Sequence, residues 1–241
     1  MSRPESSIKA SICIARFAHN LYFEEVIHCL HEEELDYYTN LQVEKRKNSF
    51  LMGRFCAKKA IQLYTDIGDD RKIIIRRGVF QQPVVTMPSY SNIQVSITHC
   101  NDMGAALAFS EEHAMGIDIE KISGEPTAIE SVLTEKERNL IKSLNLNPNV
   151  ALYLMWTAKE ALSKILKTGF TTPPQVFEIN RIDIQSDYVS SEYTNFSQFR
   201  ATSFQAGHYM LSIVHPKRTL MDVHTLKHLI SKTQAISSFH C

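Results

Sequence analysis

Met115-Gly116-Ile117-Asp118-Ile119-Glu120-Lys121, at the middle of a 241-residue chain, has the alternation of a short strand. Successive strand side chains point to opposite faces, so Ile117 and Ile119 share one face while Asp118 and Glu120 share the other. The isoleucine face suits a core. The acidic face carries two carboxylates about 7 Å apart along the backbone. Paired oxygens of that kind suit a hard divalent cation such as Mg²⁺, which keeps several waters and completes its shell with substrate phosphates. A solvated edge strand has the same pattern, so the chemistry must be decided by what surrounds this segment.

A chain of this length has room for one large domain or two small ones. Hydrophobic residues make up 44% and charged residues 22%, the balance of a folded soluble protein and not of a disordered one. Lysine plus arginine number 26 and aspartate plus glutamate 26, so attraction to an anion must come from a local patch. This balance gives no expectation of nucleic-acid binding. Cys13, Cys29, Cys56, Cys100 and Cys241 are dispersed, with no Cys-x-x-Cys pair. Such a set argues against a disulfide framework and a cysteine zinc site, and predicts a reducing cytoplasm. The first residues lack the apolar run of a signal peptide, and no stretch approaches the ~20 apolar residues that span a bilayer. The expectation is a cytoplasmic protein without a membrane segment.

Residues 8–18 are rich in β-formers and predict a first strand, and Glu24 to Tyr38 reads as a helix. His28 and His31 flank Cys29 there, without the further ligands a metal needs. A long helix follows from Val43 to Tyr64, on which Arg46, Phe50, Arg54 and Lys58 recur every four residues. Such a stripe either holds a polyanion or is a solvated face. Ile73 to Ile75 is strand-like, and Gly78 and Pro83 punctuate a loop. Residues 93–99 and 105–109 predict a hairpin that leads into the acidic strand. After Lys121 a boundary is expected, dividing the chain into residues 1–121 and 122–241. Thr134 and Glu137 form a capping box, and Val150 to Lys167 predicts a second strong helix, ended by Gly169 and Pro173-Pro174. Strands are expected at Val176–Ile179, Phe196–Phe204 and Tyr209–Val214, then a helix from Met221 to Ile230. His224 and His228 on it, at i and i+4, lack a third ligand and read as surface. Both halves thus run from helices to β hairpins, predicting an α+β fold.

On the second strong helix, Leu154, Ala158, Ala161, Leu162 and Ile165 form an apolar face, while Trp156, Glu160 and Lys164 form a separate stripe. Gly116-Ile117-Asp118-Ile119-Glu120, followed about forty residues on by Trp156-Thr157-Ala158-Lys159-Glu160-Ala161-Leu162-Ser163-Lys164, resembles the paired signatures of the Sfp-type 4′-phosphopantetheinyl transferases. Arg46 to Arg54 resembles that family's basic helix, Ser96-Ile97-Thr98-His99 its Ser-x-Ser-His segment, and Gly207 to Pro216 its closing strand. The likeness covers residues 40 to 216. Gln82-Pro83 departs from it, standing where the family commonly carries Gly-Lys-Pro.

The resemblance implies two similar α/β halves forming a pseudo-dimer, each with helices on a small, mainly antiparallel sheet and the active site at their interface. It implies a monomeric enzyme that moves the 4′-phosphopantetheine arm of coenzyme A onto a serine of an apo carrier protein, releasing 3′,5′-ADP. Asp118, Glu120 and Glu160 would hold Mg²⁺. Glu160 would also serve as base, and Lys164 and His99 would take part in catalysis. Arg46, Arg54, Arg77, Thr98, His99, Lys159 and Lys164 would contact coenzyme A, with a carrier contact as the alternative for Lys159. The carrier would dock around Leu133 to Leu140 on apolar contacts from Val132 and Leu133. A chain with both halves resembles the broad-specificity members that serve peptide and polyketide synthetases in secondary metabolism. The alternatives are a catalytically silent module that binds coenzyme A or a carrier, and another Mg²⁺-dependent phosphotransferase. The latter would need a phosphate-cradling glycine loop or a separate nucleophile, and the sequence shows no Walker-type Gly-x-x-x-x-Gly-Lys.

Overall fold

Strands in this chain are joined mostly by short turns, which produce antiparallel neighbours, and the residues that the computed structural model describes form three antiparallel sheets. It describes residues 8–17, 26–87, 90–124 and 127–235. The start of the first helix expected at Glu24, boundary residues 125–126 and Cys241 lie outside the described residues. In the first sheet β5 (Met103–Ser110) lies between β1 (Ala10–Arg16) and β4 (Ile93–Cys100). Helix α1 (Glu32–Thr39) precedes the long α2 (Glu44–Thr65), whose apolar residues pack across β1, β5 and β4. A two-stranded ribbon, β2 (Ile74–Arg77) with β3 (Pro83–Thr86), flanks this layer.

The second sheet runs in the order β6 (Gly116–Lys121), β10 (Tyr209–Pro216), β9 (Phe199–Ala206), β8 (Val189–Tyr193) and β7 (Ile179–Ile184). Two shorter helices, α3 (Thr127–Ser131) and α4 (Glu135–Ser143), lead to α5 (Pro148–Ile165), which packs on β6, β10 and β9. Asn147 caps α5 and Pro148 opens it, as expected where a first-turn N–H has no helical partner. The last helix, α6 (Val223–Ala235), lies against β1 and β9, over a core that includes Ile14, Phe204 and Leu211.

The acidic strand β6 is hydrogen-bonded to β10, so Gly116–Lys121 belongs to the second sheet. It meets the first sheet only through side chains. The N–H groups of Ile117, Ile119 and Lys121 donate to Ser96 Oγ (3.1 Å), Thr98 Oγ1 (3.2 Å) and Cys100 Sγ (3.3 Å) of β4. The constant offset of 21 residues in these three bonds means that β4 and β6 run in the same direction. Alternate residues of β4, which face one way, thus satisfy the exposed edge of β6.

Two expected elements are redrawn. The helix from Glu24 to Tyr38 is broken among the described residues into a 3₁₀ turn, Ile27–Cys29, and α1. His31 caps α1, its Nδ1 accepting from Glu33 N–H at 3.2 Å, while its own N–H donates to Glu34 at 3.0 Å. That reciprocal cap starts a new helix inside the stretch expected to be one. Val176–Ile179 is not a strand: Pro174 opens a 3₁₀ turn through Phe177, and β7 begins at Ile179.

Candidate functional site

Asp118 is the fixed point of the site. It is buried on β6, where its Oδ1 accepts the Thr98 hydroxyl at 2.9 Å and the Lys164 ammonium at 2.8 Å. Lys164, in the last turn of α5, also donates to the Ile117 carbonyl at 2.8 Å. Gly116 permits this closeness, because a Cβ there would lie 2.0 Å from the Ala161 carbonyl oxygen of α5. Any side chain at 116 must therefore push α5 off β6 and part Lys164 from Asp118.

Asp118 Oδ2 is buried with no hydrogen-bond partner among the described residues. A buried carboxylate oxygen left unpaired is costly and calls for a cation. Glu120 lies within hydrogen-bonding reach of the Cys100 thiol and the Trp156 indole; desolvation, then the Asp118 charge, raise its carboxyl above the ordinary range. Glu160, reaching in from α5, is pushed up to about 7, first by desolvation, then by Asp118, with Glu120 adding to the shift and Lys164 opposing it. Three acids thus crowd one ammonium. Among the described residues no three His, Cys, Asp or Glu side chains close into a metal cage by themselves. The donor set present, an unpaired Asp118 oxygen with two further carboxyls nearby, is of the hard-oxygen kind that a divalent cation such as Mg²⁺ takes together with waters and ligand phosphates.

These acids open into a cleft of about 1000 Å³ whose far wall is basic. Arg46 and Arg54 of α2 and Arg77 at the end of β2 line it, with His99 beside them. The Arg54 guanidinium carbon lies 4.6 Å from the Phe50 ring centroid and that of Arg77 lies 4.5 Å from the Tyr37 centroid. Enclosure by protein, then the Lys164 charge, hold the His99 imidazole below its usual range, while the residue keeps an exposed edge. Neutral imidazole is thereby favoured, a hydrogen-bonding group rather than a fixed charge.

The same cleft is lined by Asp118, Glu120, Glu160, Lys164, Thr98 and the basic residues just named. Two expected roles change. Lys159 faces away from it: fully buried, it pairs with Glu137 at 2.7 Å and donates to the carbonyls of Val132 (3.2 Å) and Pro174 (3.3 Å). It has no exposed surface with which to touch coenzyme A or a carrier. Thr98 spends its hydroxyl on Asp118 and the Ile119 N–H, so it orients a carboxylate. At the departure noted above, Gln82 accepts from Phe80 N–H at 2.9 Å and organises the turn. Sequence reasoning missed Ser96 and Cys100 as edge partners of β6; their alternation with Thr98 is the signal that could have found them.

A lysine set among three acids and faced by arginines offers hydrogen-bond donors of the kind that suit a phosphate-bearing ligand. Residues 114–214 match the model of the 4′-phosphopantetheinyl transferase superfamily, and residues 39–109 match the 4′-phosphopantetheinyl transferase N-terminal domain. Holo-[acyl-carrier-protein] synthase of Bacillus subtilis is 40% identical over 84 residues, 32% of this chain and 69% of that protein. The chain belongs to the 4′-phosphopantetheinyl transferase superfamily. Enterobactin synthase component D of Salmonella typhi is 31% identical over 137 residues, 54% of this chain. The match spans about half of that relative's length, 52%. A holo-[acyl-carrier-protein] synthase from Helicobacter pylori, solved in complex with coenzyme A, aligns with 42% of this chain and 99% of its own at 18% identity and a TM-score of 0.35.

Proposed function

We propose that this chain transfers the 4′-phosphopantetheine arm of coenzyme A to a serine of an apo carrier protein and releases 3′,5′-ADP. The observation that carries this reading is the unpartnered Asp118 Oδ2, set beside Glu120, Glu160 and Lys164 in a cleft walled by arginines. In the reaction the serine oxygen bonds to the phosphorus that bears the pantetheine arm, and the bond from that phosphorus to the bridging oxygen breaks. The electron pair leaves on 3′,5′-ADP, and the serine proton goes to a base.

Asp118 and Glu120 would hold Mg²⁺, with Glu160 as a third ligand, as base, or as both. Bound there, the ion supplies charge neutralisation for the pyrophosphate and its leaving oxygen. Arg46, Arg54, Arg77 and His99 bind the phosphates and fix the register of the ligand. Lys164 stands beside Asp118 to hydrogen-bond a pyrophosphate oxygen. Glu160, with its carboxyl near neutrality, is suited to accept the serine proton directly or through water.

The two halves correspond in outline, a long helix on an antiparallel sheet, α2 in one and α5 in the other. They meet along β4 and β6, so one chain carries both walls of the cleft, and a monomer is the proposed state. The division expected after Lys121 would cut β6 from the sheet to which it is hydrogen-bonded, so the proposed seam lies before Gly116. Among the described residues Cys13, Cys29, Cys56 and Cys100 form no disulfide, which suits a reducing cytoplasm. No helix among the described residues is long and apolar enough to cross a membrane.

The carrier is proposed to dock beside α4. Leu133, expected there as an anchor, is 3% exposed and belongs to the core, which leaves the half-buried Val132 and the outer face of α4. Peptidyl, polyketide or acyl carriers of secondary metabolism are the proposed partners.

The test incubates the protein with coenzyme A, Mg²⁺ and a panel of apo carriers, then reads each carrier by intact mass. A gain of one phosphopantetheine that disappears with EDTA is expected. No gain on any carrier would contradict the transfer and favour the silent binding module.

A further inference from the structure

The basic wall is carried by two separate elements, α2 with Arg54 and β2 with Arg77. All of helix α1 but its last residue precedes residue 39, where the family-model matches begin, yet it touches both. Glu34 is buried at 4% exposure. Its Oε1 forms an ion pair with Arg54 Nε at 3.1 Å, outside hydrogen-bond geometry, and accepts the Ile75 N–H at 3.2 Å. Its Oε2 lies 2.5 Å from Lys58 Nζ and accepts the His31 N–H at 3.0 Å. One carboxylate therefore ties α1, α2 and β2 together. Lys58, with no exposure of its own, also donates to the Cys29 and Asp70 carbonyls.

Neighbouring residues of α1 repeat the pattern. Glu33 takes Arg76 through both oxygens, at 2.7 and 2.9 Å. Tyr37, one turn after Glu33, stacks on Arg77, and its ring lies 5.1 Å from that of Phe50, which carries Arg54. Arg54 and Arg77 repel one another, and Glu34 opposes that repulsion at Arg54. Two guanidiniums lining one cleft need a counter-charge and a rigid backing to keep one geometry, and α1 provides both.

We propose that α1 is the positioning element of the basic wall, Glu34 acting through Arg54 and Tyr37 through Arg77, so that both guanidiniums converge on the phosphates of one ligand. This rests on the reading of the cleft as the coenzyme A site. Coenzyme A binding by calorimetry, with kcat and KM, tests it. Glu34→Gln should raise Kd and KM for coenzyme A about tenfold with kcat within about twofold, and should add less than about twofold in an Arg54→Gln background. Arg54→Gln alone checks the underlying reading: unchanged affinity would refute the cleft as the coenzyme A site, whatever Glu34 does. Affinity weakened by Arg54→Gln but not by a folded Glu34→Gln protein overturns the positioning role.

Glu34 serves two buried cations, so its loss can unfold the chain. Tyr37→Leu removes no buried charge and keeps the test open. It should weaken coenzyme A binding about threefold, an effect absent in an Arg77→Gln background. Unchanged affinity in Tyr37→Leu, or a loss that persists without Arg77, overturns the proposal.

Discussion

Glu160 has an ordinary carboxyl value of 4.5 raised to about 7 in the folded chain, chiefly by desolvation and then by Asp118. A raised carboxyl stabilises the fold fully below its unfolded value, and that contribution is lost as pH climbs through the folded value. In EDTA this group should therefore lower stability between about pH 4.5 and pH 7, then level off. A bound divalent cation needs the ionised form, so the rise in Tm caused by Mg²⁺ should grow across the same window, as scanning fluorimetry can measure. A rise that is flat or shrinks with pH would count against Glu160 facing the ion. Lys159 and Glu137 form the opposite kind of pair, fully buried and remote from the cleft. Lys159→Met should cost about 3–5 kcal/mol in chemical denaturation by stranding Glu137. Any folded fraction should keep the KM for coenzyme A, whereas a raised KM would return Lys159 to the site. Asp118, Glu120, Glu160 and Lys164 were legible because strand and helix periods put them on shared faces. Lys159 was not, since the carboxylate that claims it is 22 residues away in sequence.

At the scale of elements, the packing of α5 on β6 decides whether a site forms. The contact runs through backbone, with the Ala161 carbonyl against Gly116. Gly116→Ala should destabilise the chain by about 1–3 kcal/mol, because overpacking at a helix–sheet contact must move the helix. It should also weaken Mg²⁺ binding, as titration calorimetry can check; a variant with wild-type stability would mean that α5 has slack there. The long helices and the central hairpin were readable from period and caps, the capping box at Thr134 and Glu137 included. β7 and β8 were not: Asn180, Arg181, Asp183, Ser190 and Glu192 give them little of the apolar alternation that marks a strand. Helix α1 likewise gave no sign of its reach, because Glu34 finds Arg54, Lys58 and Ile75 only through the tertiary fold.

At the scale of the molecule, two sheets join along one seam where hydroxyls and a thiol replace a backbone ladder. Thr98→Val would orphan the Ile119 N–H and remove a donor from Asp118, for a loss of about 1–3 kcal/mol in denaturant unfolding together with lower activity. Thr98→Ser should keep both. Equal damage from the two substitutions would mean that the methyl group, not the hydroxyl, holds the seam. That seam also places the acids of one sheet opposite the arginines of the other layer, which is the basis for reading the cleft as a transfer site. The most direct measurement quantifies 3′,5′-ADP and holo-carrier together in one reaction, for the wild-type chain and for Asp118→Ala. Equal amounts of both products from the wild type and neither from Asp118→Ala is the expected result. Cleavage of coenzyme A without holo-carrier, or transfer that survives Asp118→Ala, would contradict it.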